Sequence, residues 1–226
     1  MNVISMNSDT AIIVPAYCGS NTIEGENQKR LMTKTLCKSL YEAGHFVVLA
    51  SHSTIDIETQ NYCHLFVYDC DNSFSVDGVP VRNRSHSVAE LTSIHNALKL
   101  LPKRIKYVLK VCYDNQPDFD FADVIQKAKD TGKKLVTGKW SNDITLGVHL
   151  CFFDVDFFRE TLSFDELPRY DSEPNLEHVW YSSVRDKGLL DQVHRELYDE
   201  PPYFFGHEVR QYSNDGGTQL VDYPYE

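Results

Sequence analysis

Five apolar, β-branched runs recur along the first part of the chain, and each stops abruptly in a polar cluster. They are AIIVP at 11–15, HFVVLA at 45–50, HLFVY at 64–68, IKYVLKV at 105–111 and KLVT at 134–137. Between them lie stretches with helical rhythm. Leu31, Leu36, Leu40 and Ala43 mark one over 27–43, which Gly44 stops. Val88, Leu91, Ile94, Ala97, Leu98 and Leu101 mark another over 85–101, which Pro102 closes, and a third covers 121–130 ahead of Gly132. Strands that are apolar on both sides must be covered on both sides, so the alternation predicts an α/β fold. Its central sheet is mostly parallel, Rossmann-like and sandwiched by helices. The segment 73–84 reads as a loop. With no internal repeat, low-complexity tract or linker, 1–226 reads as a single domain.

In sheets of this kind ligands collect beyond the carboxyl ends of the strands. PAY at 15–17, SHS at 51–53, DCDN at 69–72 and CYDN at 112–115 all fall at such ends. The stretch YVLKVCYDNQPD therefore has two readings: an ordinary turn built from turn-favouring residues, or a strand tip that holds a cation and a phosphate.

Charge narrows the partners. With 22 Lys+Arg against 33 Asp+Glu the formal charge is −11, which argues against a nucleic-acid partner. A small anionic ligand remains compatible, because a divalent cation bridges anion to acid. The six cysteines (Cys18, Cys37, Cys63, Cys70, Cys112, Cys151) form no CxxC pair and read as reduced thiols. The opening MNVISMNSDT has no signal-peptide pattern and no apolar stretch reaches membrane-spanning length, so a cytoplasmic protein without a transmembrane segment is expected.

The order of elements, with AIIVPAY, FVVLASHS, LFVYDCDN and then YVLKVCYDNQPDFDFADVIQKA, resembles the nucleotide-sugar-binding half of GT-A-fold glycosyltransferases, family 2-like inverting enzymes in particular. In that family the fourth strand ends in a DxD motif, matched here by Cys112-Tyr113-Asp114-Asn115 with Pro117-Asp118 following. GVHLCFFDVDFFRETLSFDEL resembles the segment in which a glycine loop leads to a helix. EPNLEHVWYSSVRDKG resembles the helix that carries the catalytic base. The resemblance implies transfer of a sugar from a UDP- or GDP-sugar to a glycan, lipid-linked or protein hydroxyl, with inversion and with Mn²⁺ or Mg²⁺. It also implies a nucleotide-sugar half at about 11–137, an acceptor-binding and catalytic half at about 138–210, and a tail at 211–226. Two positions depart from the pattern: Cys112 replaces the first acid of DxD, and His178 the second residue of the ED pair.

Asp114 is accordingly the expected metal ligand. Asp69 and Asp71 contact either the nucleoside or the metal, or else are solvated loop acids. Pro15, Tyr17 and Ser51 are expected at the nucleoside, with a surface loop tyrosine as the competing reading of Tyr17. Arg82, Arg84 and His86, just before a helix, suit a phosphate; their competing reading is solvated loop charge. Lys110, inside a strand, must find a partner, with Asp69 or Asp114 expected. Glu177, with His178 and Glu173 nearby, is the expected base; the competing reading is an exposed amphipathic helix with ordinary acids. Of the late histidines His194 and His207, His207 is the candidate to complete the metal shell. Two rivals stand beside this reading. One is a catalytically silent binding module on the same fold. The other is a nucleotidyltransferase, which the loop PAYCGSN disfavours because it carries one glycine and no lysine or arginine.

Overall fold

The computed structural model describes residues 8–18, 22–68, 75–76, 79–80, 86–115, 117–138, 146–163, 166 and 176–197, with backbone alone for 75–76, 79–80 and 86–88. Nine strands and six α-helices follow one another among these: β1 Thr10–Ala16, α1 Ile23–Glu42, β2 Phe46–Ser51, α2 Ile57–Gln60, β3 Leu65–Tyr68, β4 Ser75–Val76, β5 Val79–Pro80, α3 His86–Leu100, β6 Tyr107–Val111, α4 Phe121–Asp130, β7 Leu135–Gly138, β8 Gly147–Asp154, α5 Val155–Thr161, α6 Leu176–Asp186 and β9 Val193–His194.

Seven strands form the central sheet in the order β3-β2-β1-β6-β8-β7-β9. β1 pairs in parallel with β2 and β6, β2 with β3, and β7 with β9. β8 is the reversed strand, antiparallel to both β6 and β7. The sheet is therefore mostly parallel, as the apolar runs predict. Alternate strand residues feed two cores. Ala11, Ile13, Val48, Val108 and Phe153 pack with α3, α5 and α6, around a fully buried Trp180. Ile12, Val14, Leu49, Leu109 and Phe152 pack with α1 and α4.

Three expectations need correction. α1 begins at Ile23, four residues before the expected start at 27, because the Thr22 hydroxyl caps it by accepting from Gly25 N at 3.1 Å. The segment from Gly147 is not a loop that leads into a helix: it is an eight-residue strand, and the helix is confined to Val155–Thr161. Asp154 ends that strand and caps α5, accepting from Phe157 N at 2.9 Å. Inside 73–84, read as loop, β4 and β5 pair as a short antiparallel ribbon. The remaining boundaries shift by a residue or two, and the glycine stops hold, with Gly44 and Gly132 at φ +83 and +65.

His95 of α3 gives this core a pH signature. It is 7% exposed and meets Phe158 edge-on at 5.1 Å. Burial pulls its imidazole down to about 4, with Lys99 and Arg159 acting in the same direction against a hydrogen bond to the Leu162 backbone. In the unfolded chain the group takes up its proton near pH 6.5. Its stabilising contribution is thus complete above that pH and is lost as pH falls towards 4, by about 3 kcal/mol. Urea unfolding of the wild type and His95→Leu at pH 7 and pH 4.5 is expected to show a smaller acid loss in the variant; equal losses would contradict this account.

Candidate functional site

Because β8 is reversed, its first residues lie at the carboxyl ends of the other strands, where β1, β2 and β6 terminate. After β6 the ladder continues one residue further, Cys112 N donating to His149 O at 3.3 Å. The chain then turns back on itself. Cys112 O accepts from Asn115 N at 3.0 Å and from Asn115 Nδ2 at 3.0 Å. Residues 112–115 of YVLKVCYDNQPD thus form a turn, and that turn presents side chains.

Those side chains converge. Donor atoms of Cys112, Asp114 and His149 all lie within 4.8 Å of one another. His149 Nε2 is 3.2 Å from Asp114 Oδ1 and 3.0 Å from Asn115 Nδ2. The bond to Cys112 O fixes which end of the Asn115 amide faces His149. Nε2 therefore stands between an amide donor, which calls for a lone pair, and a carboxylate, which calls for a proton or a cation. A neutral imidazole meets only one of these demands. Asn115 is fully buried, and its Oδ1 has no hydrogen-bond partner among the described residues.

A bulge aims His149. Thr137 pairs with Cys151 but Gly138 pairs with Gly147, so one step along β7 spans four along β8. Strict alternation fails across it: Val148 joins the α3/α6 core while Leu150 joins the α1/α4 core. Bulges of this kind redirect side chains next to functional sites.

Beneath the turn, Lys110 is 2% exposed. Its expected pairing with Asp69 or Asp114 is replaced by one with Glu90 of α3: Nζ lies 2.5 Å from Glu90 Oε1 and donates to Val148 O at 2.7 Å. The reason is geometric, since residue 110 points to the α3 side of the sheet with Val108. Burial alone lowers the pKa of Lys110, but the anionic forms of Cys112, Glu90 and Cys151 outweigh it and hold the ammonium well above the ordinary lysine value. Cys151, fully buried, is pushed up to about 12 by that burial, which makes it a packing thiol.

Across the rim, Tyr17 is 49% exposed after β1, with Lys29 Nζ 5.7 Å from its ring centroid. Burial lowers the Lys29 pKa, while the charges of Cys18 and Asp114 oppose that, which places this ammonium within reach of the acid's field. Pro15 is half-buried in β1. The Ser51 hydroxyl fastens the adjoining strand ends, with Ala16 O at 2.8 Å and Ser53 O at 3.0 Å. Glu177 and His178 are half-buried in the first turn of α6, and Glu177 O accepts from Leu146 N at 3.2 Å, so this turn is tied to the entry of β8. His194 sits on edge strand β9, with β7 and β8 between it and β6. Asp69, Asp71, Arg82, Arg84, Glu173 and His207 lie outside the described residues, and of His86 only the backbone, at the start of α3, is described.

Asp114, expected as a metal ligand, thus lies in this cluster, and three groups beside it were not expected there. His149 had a signal, a histidine inside an apolar strand, as did Lys29, which continues the buried α1 stripe Thr33, Leu36, Leu40 towards the rim. Cys112 was counted as a lost acid rather than as a ligand in its own right.

No family model matches the sequence, and neither does any curated protein. Solved structures do match. A cytidylyltransferase from Leptospira borgpetersenii superposes with TM-score 0.50 at 13% identity, over 85% of this chain and 76% of its own. A Desulfovibrio desulfuricans protein, assigned provisionally as a nucleotide-diphospho-sugar transferase, gives TM-score 0.50 at 12% identity over 92% and 89%. The fold is GT-A-like. At these identities the likeness extends to fold alone, and this GT-A-like architecture accommodates both kinds of transferase.

The Lys110–Glu90 pair underlies the site and is open to test. Glu90→Leu leaves a buried ammonium without its carboxylate and is expected to cost about 3–5 kcal/mol, whereas Lys110→Met combined with Glu90→Leu restores most of it. Denaturant midpoints of the single and double variants check this; strictly additive losses would contradict it.

Proposed function

We propose that the chain binds a nucleotide-diphosphate sugar at this rim and transfers the sugar to a hydroxyl acceptor. One observation carries the reading: a thiol, a carboxylate and an imidazole, all groups able to hold a metal, come within 4.8 Å of one another at the carboxyl-end rim of a GT-A-like sheet, where the neighbouring strand β1 leads to Tyr17. On an acidic chain, a pyrophosphate needs positive charge at its landing place. Cys112, Asp114 and His149 would hold a divalent cation, which supplies countercharge to the departing diphosphate.

Lys29 provides a second positive charge to the phosphates. Pro15 and Tyr17 receive the nucleoside, the aromatic ring as a stacking surface and Ser51 as the fastener of that edge. Asp69 and Asp71 contribute to nucleoside or metal, and Arg82, Arg84 and His86 to phosphate. Glu177, with His178 beside it, takes the proton of the acceptor hydroxyl. The new C1–O bond then forms on the face opposite the leaving group, while the bond to the diphosphate breaks and its electron pair leaves with phosphate oxygen. In this reading residues 11–137 carry the donor and 138–210 the acceptor.

A nucleotidyl-transfer reading has the Leptospira likeness in its favour, at the same TM-score. The two readings separate on ligand: a nucleotidyltransferase prefers a nucleoside triphosphate, a glycosyltransferase a nucleotide-diphosphate sugar. Thermal unfolding with UDP-, GDP- and CDP-sugars, UTP and CTP, each with a panel of divalent ions, distinguishes them. A sugar nucleotide at roughly a hundred times Kd is expected to raise Tm by about 5–10 °C, more than any triphosphate. Glu177→Gln is expected to keep that shift and to lower transfer by about 10²–10⁴-fold. No shift with any nucleotide would overturn the proposal, and a larger shift with a triphosphate would favour its rival.

A further inference from the structure

We propose that Cys112, Asp114 and His149 form a site for a thiophilic, borderline divalent ion of the zinc class, and that the chain binds this ion without nucleotide and in preference to Mg²⁺. The ion's use in catalysis rests on the donor-site reading above; its binding does not.

The donor set carries the argument. One sulfur, one imidazole nitrogen and one carboxylate oxygen lie within 4.8 Å of one another. Mg²⁺ takes oxygen ligands in strict octahedral geometry and keeps much of its water, so two of these three donors are poorly suited to it. Thiolate and imidazole favour zinc and its neighbours. Three protein ligands with a further position left for water or substrate is the arrangement of catalytic rather than structural zinc. The substitution of sulfur for the family's first carboxylate is thus paired with a nitrogen ligand from β8, and together they change the class of ion.

The scaffold holds the donors in place. Cys112 is fixed by its ladder bond to His149 O and by the two Asn115 bonds to its carbonyl. His149 is 5% exposed and is redirected by the β8 bulge. A cation shared by Nε2 and Asp114 Oδ1 meets both atoms at once, and it leaves no proton between Nε2 and the Asn115 amide. A turn evolved only to reverse the chain has no need of a buried histidine facing its acid.

Cobalt titration of the reduced, chelator-treated full chain tests the proposal, with nucleotide absent. One equivalent of Co²⁺ is expected to give a near-ultraviolet thiolate-to-cobalt charge-transfer band and intense visible bands of low-coordinate cobalt. Stoichiometric Zn²⁺ is expected to abolish them, and a large excess of Mg²⁺ to leave them. Cys112→Ser should remove the charge-transfer band, whereas Cys63→Ser and Cys70→Ser keep it. His149→Ala should lower Zn²⁺ affinity at least about 100-fold, beyond the loss of an outer hydrogen-bond partner. Cys112→Asp should shift the preference towards Mn²⁺. The wild-type competition stands even if a variant fails to fold. Absence of the band, its survival in Cys112→Ser, or equal competition by Mg²⁺ would overturn the assignment. A nucleotide-induced Tm shift without the band sinks the ion and leaves the donor site. The band without any nucleotide shift keeps the ion and sinks the donor-site reading.

Discussion

β8 runs against every other strand of its sheet, and that reversal makes the candidate site. A strand parallel to β6 would have delivered its carboxyl end to the rim. The reversed strand delivers its first residues instead, and the bulge opposite Thr137 and Gly138 turns the third of them, His149, towards Cys112 and Asp114. The same reversal brings Leu146 to the first turn of α6, so Glu177 and His178 are anchored to the strand that carries His149. Candidate base and candidate ligand are thereby held by one short segment.

Buried charge sits directly below. Lys110 and Glu90 meet inside the core between β6 and α3, an arrangement that is expensive to desolvate and whose retention calls for a reason. Its placement offers one. Lys110 donates to Val148 O at the bulge, which braces the backbone next to His149, and its ammonium lies in the field of Cys112. A methionine there would pack, but would provide neither effect. The cost of burying the pair is offset by a fixed positive charge under the ligand cluster.

Much of the fold was legible because burial writes directly into composition. Doubly covered strands read as continuous apolar runs, and α4 was delimited to the residue, ahead of the glycine stop at Gly132. β8 was not legible in the same way: GVHLCFFDVDFF is mostly apolar, and such a run does not say whether it is strand or helix. Its direction is a tertiary fact. Asp114 could be singled out from its place at a strand end, but His149 lies 35 residues downstream and meets it only through the reversed pairing. The partner of Lys110 was misjudged for a related reason. The nearest acids in sequence lie along the strand, whereas a strand side chain points out of the sheet, towards α3. Thr22 as the cap of α1 was a missed local signal, since the cap precedes the apolar rhythm by several residues.

A GT-A-like sheet with a sulfur–nitrogen–oxygen cluster at its carboxyl-end rim unites these features: the sheet gathers strand ends, the reversed strand adds an imidazole, and a bound cation would give the acidic chain a positive charge at that rim. X-ray absorption at the zinc edge of the metal-loaded chain tests that claim most directly. The account predicts a sulfur scatterer at about 2.3 Å together with nitrogen or oxygen at about 2.0–2.2 Å, including the outer-shell signature of an imidazole. A shell of oxygen alone, with neither sulfur nor imidazole, would contradict it.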